Sequence, residues 1–234
     1  MNTVLTPTNK KDDLGSKPQK RPRPGRPSKQ ENSNSTKTSR NRLLEAAIEI
    51  FSLFGYEAVS TGQISKRAGM SQSMVHYHFR TKERLWKAAI DHLMHDLNQR
   101  FPVARDELKD LDPVSQLKVM IRRFIKMSST DIHLARIVTH EGTTPSARLK
   151  WFTNSYISPA FEEFDQAITE GIKLGLIKDL PVYAISHTLI SAASFTFCIS
   201  PMVKEVHGED LTTPQTIDEL SDTIMELIFS GVLK

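Results

Sequence analysis

Residues 61–79 carry the strongest local pattern in this sequence, and they read Thr61-Gly62-Gln63-Ile64-Ser65-Lys66-Arg67-Ala68-Gly69-Met70-Ser71-Gln72-Ser73-Met74-Val75-His76-Tyr77-His78-Phe79. Two short segments with apolar residues at helical spacing flank Gly69, and glycine supplies the positive φ that a sharp bend between helices requires. Ala68 is small where the helices would approach each other. Thr61 and Ser71 stand where N-caps would be. This arrangement predicts a helix-turn-helix.

The predicted second helix of this motif has a polar face. Gln72, Ser73, His76 and Tyr77 lie away from the apolar positions, and their side chains can hydrogen-bond base edges or phosphate oxygens in a major groove. Lys82 follows near the start of the next helix, where the positive charge and the backbone N–H groups both favour a phosphate. The same pattern also fits a structural helical hairpin with polar surface residues.

Apolar periodicity extends to both sides of the motif. Before it, a helix is predicted from Ser39, with Thr38 or Ser39 as N-cap, to Gly55; after it, a longer helix runs from Thr81 to Pro102. No later segment alternates with period two, which predicts an all-α protein. The later helices are expected at about 113–128, 131–140, 146–174, 182–203 and 214–230. Predicted domains are a disordered arm (1–38), a DNA-binding domain (39–85) and a larger helical domain (86–234).

Charge separates the two ends of the chain. The chain has 234 residues and a formal net charge of +4, but residues 1–40 carry +7, residues 41–90 carry +3 and the remainder carries −6. Basic charge gathered at one end fits a polyanionic partner, although a solubilising tail gives the same count. The single cysteine, Cys198, excludes an internal disulfide framework and a multi-cysteine zinc site. We expect a cytoplasmic location, since the first residues lack an apolar signal segment.

Residues 40–90 resemble the DNA-binding domain of TetR-family transcriptional regulators. The resemblance rests on four groups of residues: Leu44, Ala47 and Phe51 in the first helix; Gly55-Tyr56; Thr61, Ile64, Ala68 and Gly69; and Ser71, Tyr77-His78-Phe79 and Lys82-Glu83-x-Leu85. It implies a three-helix N-terminal reading head, followed by a larger C-terminal domain that dimerises and holds a small-molecule effector. Effector binding is then expected to change the spacing of two heads and release DNA.

One position departs from the family pattern. His76 stands where the family usually has a tyrosine whose hydroxyl donates to a phosphate. A histidine ring nitrogen can also donate, but the side chain is shorter and gains charge at acidic pH. The departure predicts a different phosphate contact at this position and a DNA affinity that depends on pH; a flat affinity between acidic and neutral pH would refute it.

The N-terminal arm contains an AT-hook-like segment, Lys20-Arg21-Pro22-Arg23-Pro24-Gly25-Arg26-Pro27. Glycine and proline keep the backbone narrow, so that arginines such as Arg23 and Arg26 can enter an A·T-rich minor groove. The match is partial because Pro24 replaces the usual arginine before Gly25. A generic basic tail that raises non-specific affinity is the alternative.

Effector and dimer residues are predicted from helical spacing and from the resemblance. The effector candidates are Phe124, Met127, Arg136, His140, Phe152, Tyr156, Phe195 and Cys198. They suggest an apolar or aromatic effector anchored by Arg136 or His140, although aromatic residues at helical spacing are more often core. The last two long helices are predicted to form a four-helix dimer interface through Leu189, Ala192, Ala193, Phe197, Ile217, Leu220, Ile224, Leu227 and Ile228.

Other functions receive weaker support. Asp91, His92, His95 and Asp96 could suggest a metal site, but no clear third ligand accompanies either histidine. Residues 180–203 lack charge, yet their serines, threonines, His187 and Pro201 disfavour a membrane span. No catalytic motif, metal site or cofactor is predicted. The expected function is therefore a homodimeric repressor on a palindromic operator; an architectural DNA-binding protein without effector and a helical metal-dependent enzyme are the alternatives.

Overall fold

A computed structural model describes Met1, residues 29–102 and residues 108–234. Apart from an isolated bridge between Ile177 and Leu233, the regular structure in these ranges is helical, which confirms the all-α prediction. The helices are α1 (Lys29–Ala58), α2 (Thr61–Arg67), α3 (Gln72–Phe79), α4 (Lys82–Arg100), α5 (Pro113–Thr130), α6 (His133–Gly142), α7 (Ala147–Phe152), α8 (Ser158–Lys173), α9 (Val182–Cys198), α10 (Ser200–His207) and α11 (Pro214–Val232). A π-helical turn (Thr153–Ile157) joins α7 to α8.

The first helix begins earlier than the sequence predicts. α1 starts at Lys29 rather than near Ser39, so the last ten residues of the segment expected to be disordered are helical. No proline or glycine lies between Pro27 and Gly55, and polar residues lower helix propensity without preventing a helix from extending beyond its packed part. Gly55 interrupts α1 with a φ of 72°. Arg23 and Arg26 of the arm lie outside the described residues.

The chain divides into two compact units, residues 1–37 and 38–234. The predicted reading head and the predicted effector domain both lie within the second unit. Its first apolar core contains residues of α1, α2, α3 and α4 together with Ile137 of α6 and Phe152 of α7. The core of the head therefore includes residues that lie far along the chain. Trp86 lies in this core and makes edge-on contacts with the rings of Trp151 and Phe152.

The turn of the helix-turn-helix is closed by backbone hydrogen bonds around Gly69, whose φ is 65°. The Gly69 N–H donates to the Lys66 carbonyl (3.1 Å) and the Met70 N–H to the Ser65 carbonyl (2.8 Å). This pair of bonds is a Schellman motif, which favours glycine at the left-handed position. Arg42 fixes the turn to α1 by donating to the Ala68 carbonyl at 2.7 Å.

The caps of α2 and α3 differ from the predicted ones. Ser60, not Thr61, caps α2: its hydroxyl accepts from the Gln63 N–H, and the Gln63 side chain accepts from the Ser60 N–H in a reciprocal capping box. Ser71 occupies the N-cap position of α3, but its hydroxyl hydrogen-bonds the Ser73 hydroxyl (2.8 Å) rather than a backbone N–H.

A second core is formed by α5, α8, α9 and α11, with Ile121, Ile168 and Ala193 fully buried in it. The predicted helix over 182–203 is two helices, α9 and α10, which meet at an angle of 72°. Pro201 lies in the first turn of α10, where its missing N–H and its ring favour a new helix start over continuation of α9. Among the described residues, no single helix is long and apolar enough to cross a membrane, although α9 and α10 taken together pass that test.

Candidate DNA-binding site

The predicted recognition helix presents one apolar and one exposed face. Val75 and Phe79 are buried in the first core, whereas Gln72, Ser73, His76 and Tyr77 are exposed, with Tyr77 at 70%. The Tyr77 ring buries little surface on folding, whereas the other apolar residues of this helix are buried or half-buried. The structure therefore brings four predicted DNA contacts onto one surface.

Thr61 and Gln72 connect the two helices of the motif. The Gln72 amide donates to the Thr61 hydroxyl across the turn at 3.3 Å. Both groups keep further hydrogen-bonding capacity, since a hydroxyl can donate and an amide has two donors and an acceptor. This contact orients Gln72 at the N-terminal end of α3, the end that enters the major groove in helix-turn-helix proteins.

His78 lies on the inner side of α3, between Tyr77 and Phe79 in sequence. Its ring packs edge-on against Tyr77 at 5.0 Å between centroids, and its buried Nε2 has no hydrogen-bond partner among the described residues. Burial and the nearby charge of Arg40 lower the pKa of His78. The folded head therefore favours a neutral ring at this position.

Lys82 stands at the first position of α4, half-buried beside α1. Its ammonium lies 4.1 Å above the centroid of the Tyr56 ring and donates to the Glu57 carbonyl at 3.5 Å. Burial lowers the pKa of Lys82, and the Glu57 carboxylate opposes that effect. These contacts hold the ammonium itself against α1, beside the N-terminus of α4.

Arg148 of α7 joins this corner of the head to later parts of the chain. Its guanidinium carbon lies 3.7 Å from the centroid of the Tyr56 ring, one terminal nitrogen pairs with Glu57 at 2.9 Å, and Nε lies 3.4 Å from Glu141. Glu141 is buried, and burial is the largest cause of its raised pKa. Sequence analysis identified Tyr56 but missed Arg148 and Glu141, because they belong to no local motif.

The comparisons with known proteins agree with this geometry. The family model for bacterial regulatory proteins of the tetR family matches residues 43–89. These residues of the chain therefore match a tetR-family DNA-binding domain. The fatty acid metabolism regulator protein of Bacillus subtilis is 22% identical over 193 residues, which cover 82% of this chain and 94% of that protein.

Solved TetR-family structures share the fold. The ketosteroid transcriptional regulator KstR2 of Mycobacterium tuberculosis superposes with a TM-score of 0.65 at 17% identity, covering 83% of this chain and 95% of that one. The Bacillus subtilis regulator FadR, solved in complex with stearoyl-CoA, gives a TM-score of 0.59 at 22% identity, covering 81% and 97%. These structures show the fold, whereas the role of a DNA-binding transcriptional regulator with a helix-turn-helix rests on the family model and on the similar regulator proteins.

The structure does not gather the eight predicted effector residues around one cavity. Met127, Phe152 and Tyr156 pack in the first core and Phe124 packs in the second. The other four lie elsewhere: Cys198 close to Arg136 and Thr139, His140 against Gly55, and Phe195 half-exposed. Two surface clefts of about 460 and 310 Å³ contain none of the eight.

Tyr156 has a structural partner of its own. Its hydroxyl donates to Asp91 of α4 at 2.6 Å, and burial together with this carboxylate raises the pKa of Tyr156 to about 12. Among the described residues, no group of three or more histidine, cysteine, aspartate or glutamate side chains could hold a metal ion, so Asp91, His92, His95 and Asp96 do not form such a group.

The predicted dimer residues fall into two groups. Leu189, Ala193, Phe197, Ile217 and Ile224 are buried within the single chain and belong to its second core. Ala192, Leu220 and Ile228 are half-buried at the edge of that core, and Leu227 is 68% exposed. Helical spacing identifies an apolar face without showing whether the same chain or a partner subunit covers it, so the interface residues stay a prediction.

Proposed function

We propose that this TetR-family regulator is a homodimeric repressor, and not an enzyme, that acts in the cytoplasm. Each reading head places α3 in a major groove of a palindromic operator, with half-sites about one helical turn (~34 Å) or slightly more apart. The observation that carries this proposal is the exposed face of α3, where Gln72, Ser73, His76 and Tyr77 stand free of the core. Thr61 and Lys82 flank that face as further DNA contacts.

The contacts divide by their chemistry. Gln72 and Ser73 lie at the N-terminal end of α3 and suit base edges, with a glutamine amide able to pair with adenine N6 and N7. His76, Tyr77, Thr61 and Lys82 suit phosphate oxygens. In the arm, Arg23 and Arg26 are proposed to contact the adjacent minor groove, which adds affinity and an A·T preference.

An effector is proposed to bind the C-terminal domain and release the operator. The solved structure of Bacillus subtilis FadR, which has this fold, is a complex with stearoyl-CoA. This supports an apolar ligand for this chain as well. Arg136 is the better of the two polar anchors: it is half-buried near Cys198, whereas His140 is exposed at the end of α6. The predicted residues lie partly in the two cores, so the packed helices are proposed to open when the ligand binds.

The dimer is proposed to form through the exposed sides of α9 and α11. Phe195 is 50% exposed and Leu227 is 68% exposed, and both lie on helices that pack against each other. Exposed large apolar residues on adjacent helices are a feature of subunit interfaces.

Substitution of α3 residues tests the proposed reading mode. Gln72→Ala is expected to remove discrimination at one base position, which weakens binding to a duplex selected from genomic DNA by about 1–3 kcal/mol. Binding to a scrambled duplex is expected to change little. Lys82→Ala is expected to weaken both duplexes alike and to lower the salt slope by about one. If Gln72→Ala leaves the preference for the selected duplex unchanged, α3 does not read the operator as proposed.

A further inference from the structure

The chain reverses direction between α3 and α4 at a single residue, Arg80. Its backbone has φ 64° and ψ −46°, and the Thr81 N–H donates to the Phe79 carbonyl at 2.8 Å. A hydrogen bond across one residue with positive φ defines a γ-turn of the rare, strained kind. Arg80 is the one non-glycine residue with positive φ among those the structure describes.

The turn fixes how α3 and α4 meet. The Arg80 N–H closes α3 by donating to the His76 carbonyl at 3.0 Å, and the Thr81 hydroxyl opens α4 by accepting from the Arg84 N–H at 3.1 Å. Two residues thus connect the recognition helix to the helix that begins with Lys82. Glycine would adopt the same backbone without strain, because it has no Cβ.

Backbone strain of this kind is concentrated at functional sites, where the strained conformation contributes to function. The Arg80 side chain is exposed, and it forms no ion pair with any other residue described in the structure. In the chain Arg80 stands between exposed Tyr77, on α3, and Lys82, the first residue of α4. A guanidinium is charged at all relevant pH values and can donate two hydrogen bonds to one phosphate.

We propose that the Arg80 guanidinium contacts a DNA phosphate and that the strained turn positions it. The turn lowers the stability of the head and raises its affinity for DNA. The inference rests on the proposed function, since it extends the α3 face to a residue outside the predicted set. Arg80 and Lys82 then bracket the junction between the two helices and bind the backbone of the strand beside the groove that α3 enters.

Three variants distinguish the effect of the Arg80 charge from the effect of the backbone strain. Arg80→Gly removes both, Arg80→Asn removes the cation while tolerating positive φ, and Arg80→Lys keeps the charge. We expect Arg80→Gly to raise the melting temperature by about 3 °C or more. We also expect Arg80→Gly and Arg80→Asn to weaken binding to a duplex selected from genomic DNA about tenfold and to lower the salt slope by about one, while Arg80→Lys keeps that slope.

Lys150→Gln is the matched control, because Lys150 is an exposed cation on α7, outside the helix-turn-helix. It removes the same charge and is expected to leave both affinity and slope unchanged. If Arg80→Gly binds DNA with wild-type affinity and wild-type salt slope, the phosphate contact is overturned. If its melting temperature equals that of wild type, the turn does not lower the stability of the head. If the wild-type protein itself shows no preference for the selected duplex over a scrambled one, the proposed function fails instead.

Discussion

At the scale of single residues, the geometry of the reading head depends on two positions with positive φ, Gly69 inside the helix-turn-helix and Arg80 between α3 and α4. Gly69 was expected to provide a positive φ, and it does so inside a Schellman motif that the local sequence encodes. Arg80 was not expected, since an arginine carries no sequence signal for a γ-turn. Ser60 was missed as a cap because Thr61, one residue later, satisfies the same pattern, and only the reciprocal bond with Gln63 distinguishes them.

Replacing Gly69 by alanine tests the turn of the motif. A Cβ at φ 65° is strained and would meet the Arg42 guanidinium at 3.2 Å, so we expect Gly69→Ala to lower the free energy of unfolding by about 1–2 kcal/mol. Gly231→Ala is the control: nothing lies within 4 Å of its added methyl group and α11 is helical there, so no loss is expected. Urea denaturation measures both, and equal effects would contradict the role of positive φ.

His78 makes the stability of the head depend on pH. Burial lowers its pKa in the folded chain, so the unfolded chain binds the proton more readily below about pH 6.5, the ordinary pKa of histidine. The stabilising contribution is therefore present above that pH and is lost as the pH falls through the lowered pKa. We expect the free energy of unfolding to fall from pH 7 to pH 5 less steeply in His78→Gln than in wild type; identical slopes would contradict the assignment.

At the scale of elements, the sequence predicted where most helices lie in the chain but not which helices pack against each other. Apolar periodicity and proline and glycine breaks placed α2 to α6 and α11 within a few residues, because those signals are local. The break at Ile199 and the π-helical turn between α7 and α8 were missed, since an uninterrupted apolar pattern continues through both. Periodicity also could not separate Leu189 and Phe197, which face the second core, from Phe195, which faces solvent.

The contact between α1, α6 and α7 depends on Arg148. Removing its guanidinium leaves Glu141, 5% exposed, without its partner, so we expect Arg148→Met to lower the free energy of unfolding by about 2 kcal/mol. Neutralising the carboxyl in Arg148→Met/Glu141→Gln is expected to restore part of that loss, since an amide is less costly to bury than a charge.

A double-mutant cycle measures this coupling. The two single variants, the double variant and wild type are compared by chemical denaturation. Additive losses from Arg148→Met and Glu141→Gln would show that the two side chains do not stabilise each other across α6 and α7.

At the scale of the whole molecule, two cores share one unit of 197 residues, from Thr38 to Lys234. Because the first core contains Ile137 and Phe152 as well as residues of the head, α6 and α7 pack directly against the reading head. The sequence predicted a head and a C-terminal domain but not this shared core, which depends on contacts between residues far apart in the chain. The effector candidates were drawn from the same apolar positions, and several of them belong to these cores.

A charge on the exposed side of α11 tests the dimer. Leu227→Glu adds a carboxylate where a partner subunit is proposed to cover the leucine, so we expect the variant to be monomeric at micromolar concentrations where wild type is dimeric. Loss of binding to the selected duplex is expected with it. Leu174→Glu, in the loop after α8, is a similarly exposed control and should stay dimeric. Sedimentation velocity gives both masses, and a dimeric Leu227→Glu would place the interface elsewhere.

Salt-titrated binding tests the central claim most directly. The purified protein is titrated, at several salt concentrations, with the tightest-binding duplex selected from sheared genomic DNA and with a scrambled duplex of the same composition. The account predicts that the selected duplex binds about a thousandfold tighter or more, as specific regulators do. Equal affinities with one steep salt slope would contradict it, since the charges of the chain, rather than the face of α3, would then account for binding.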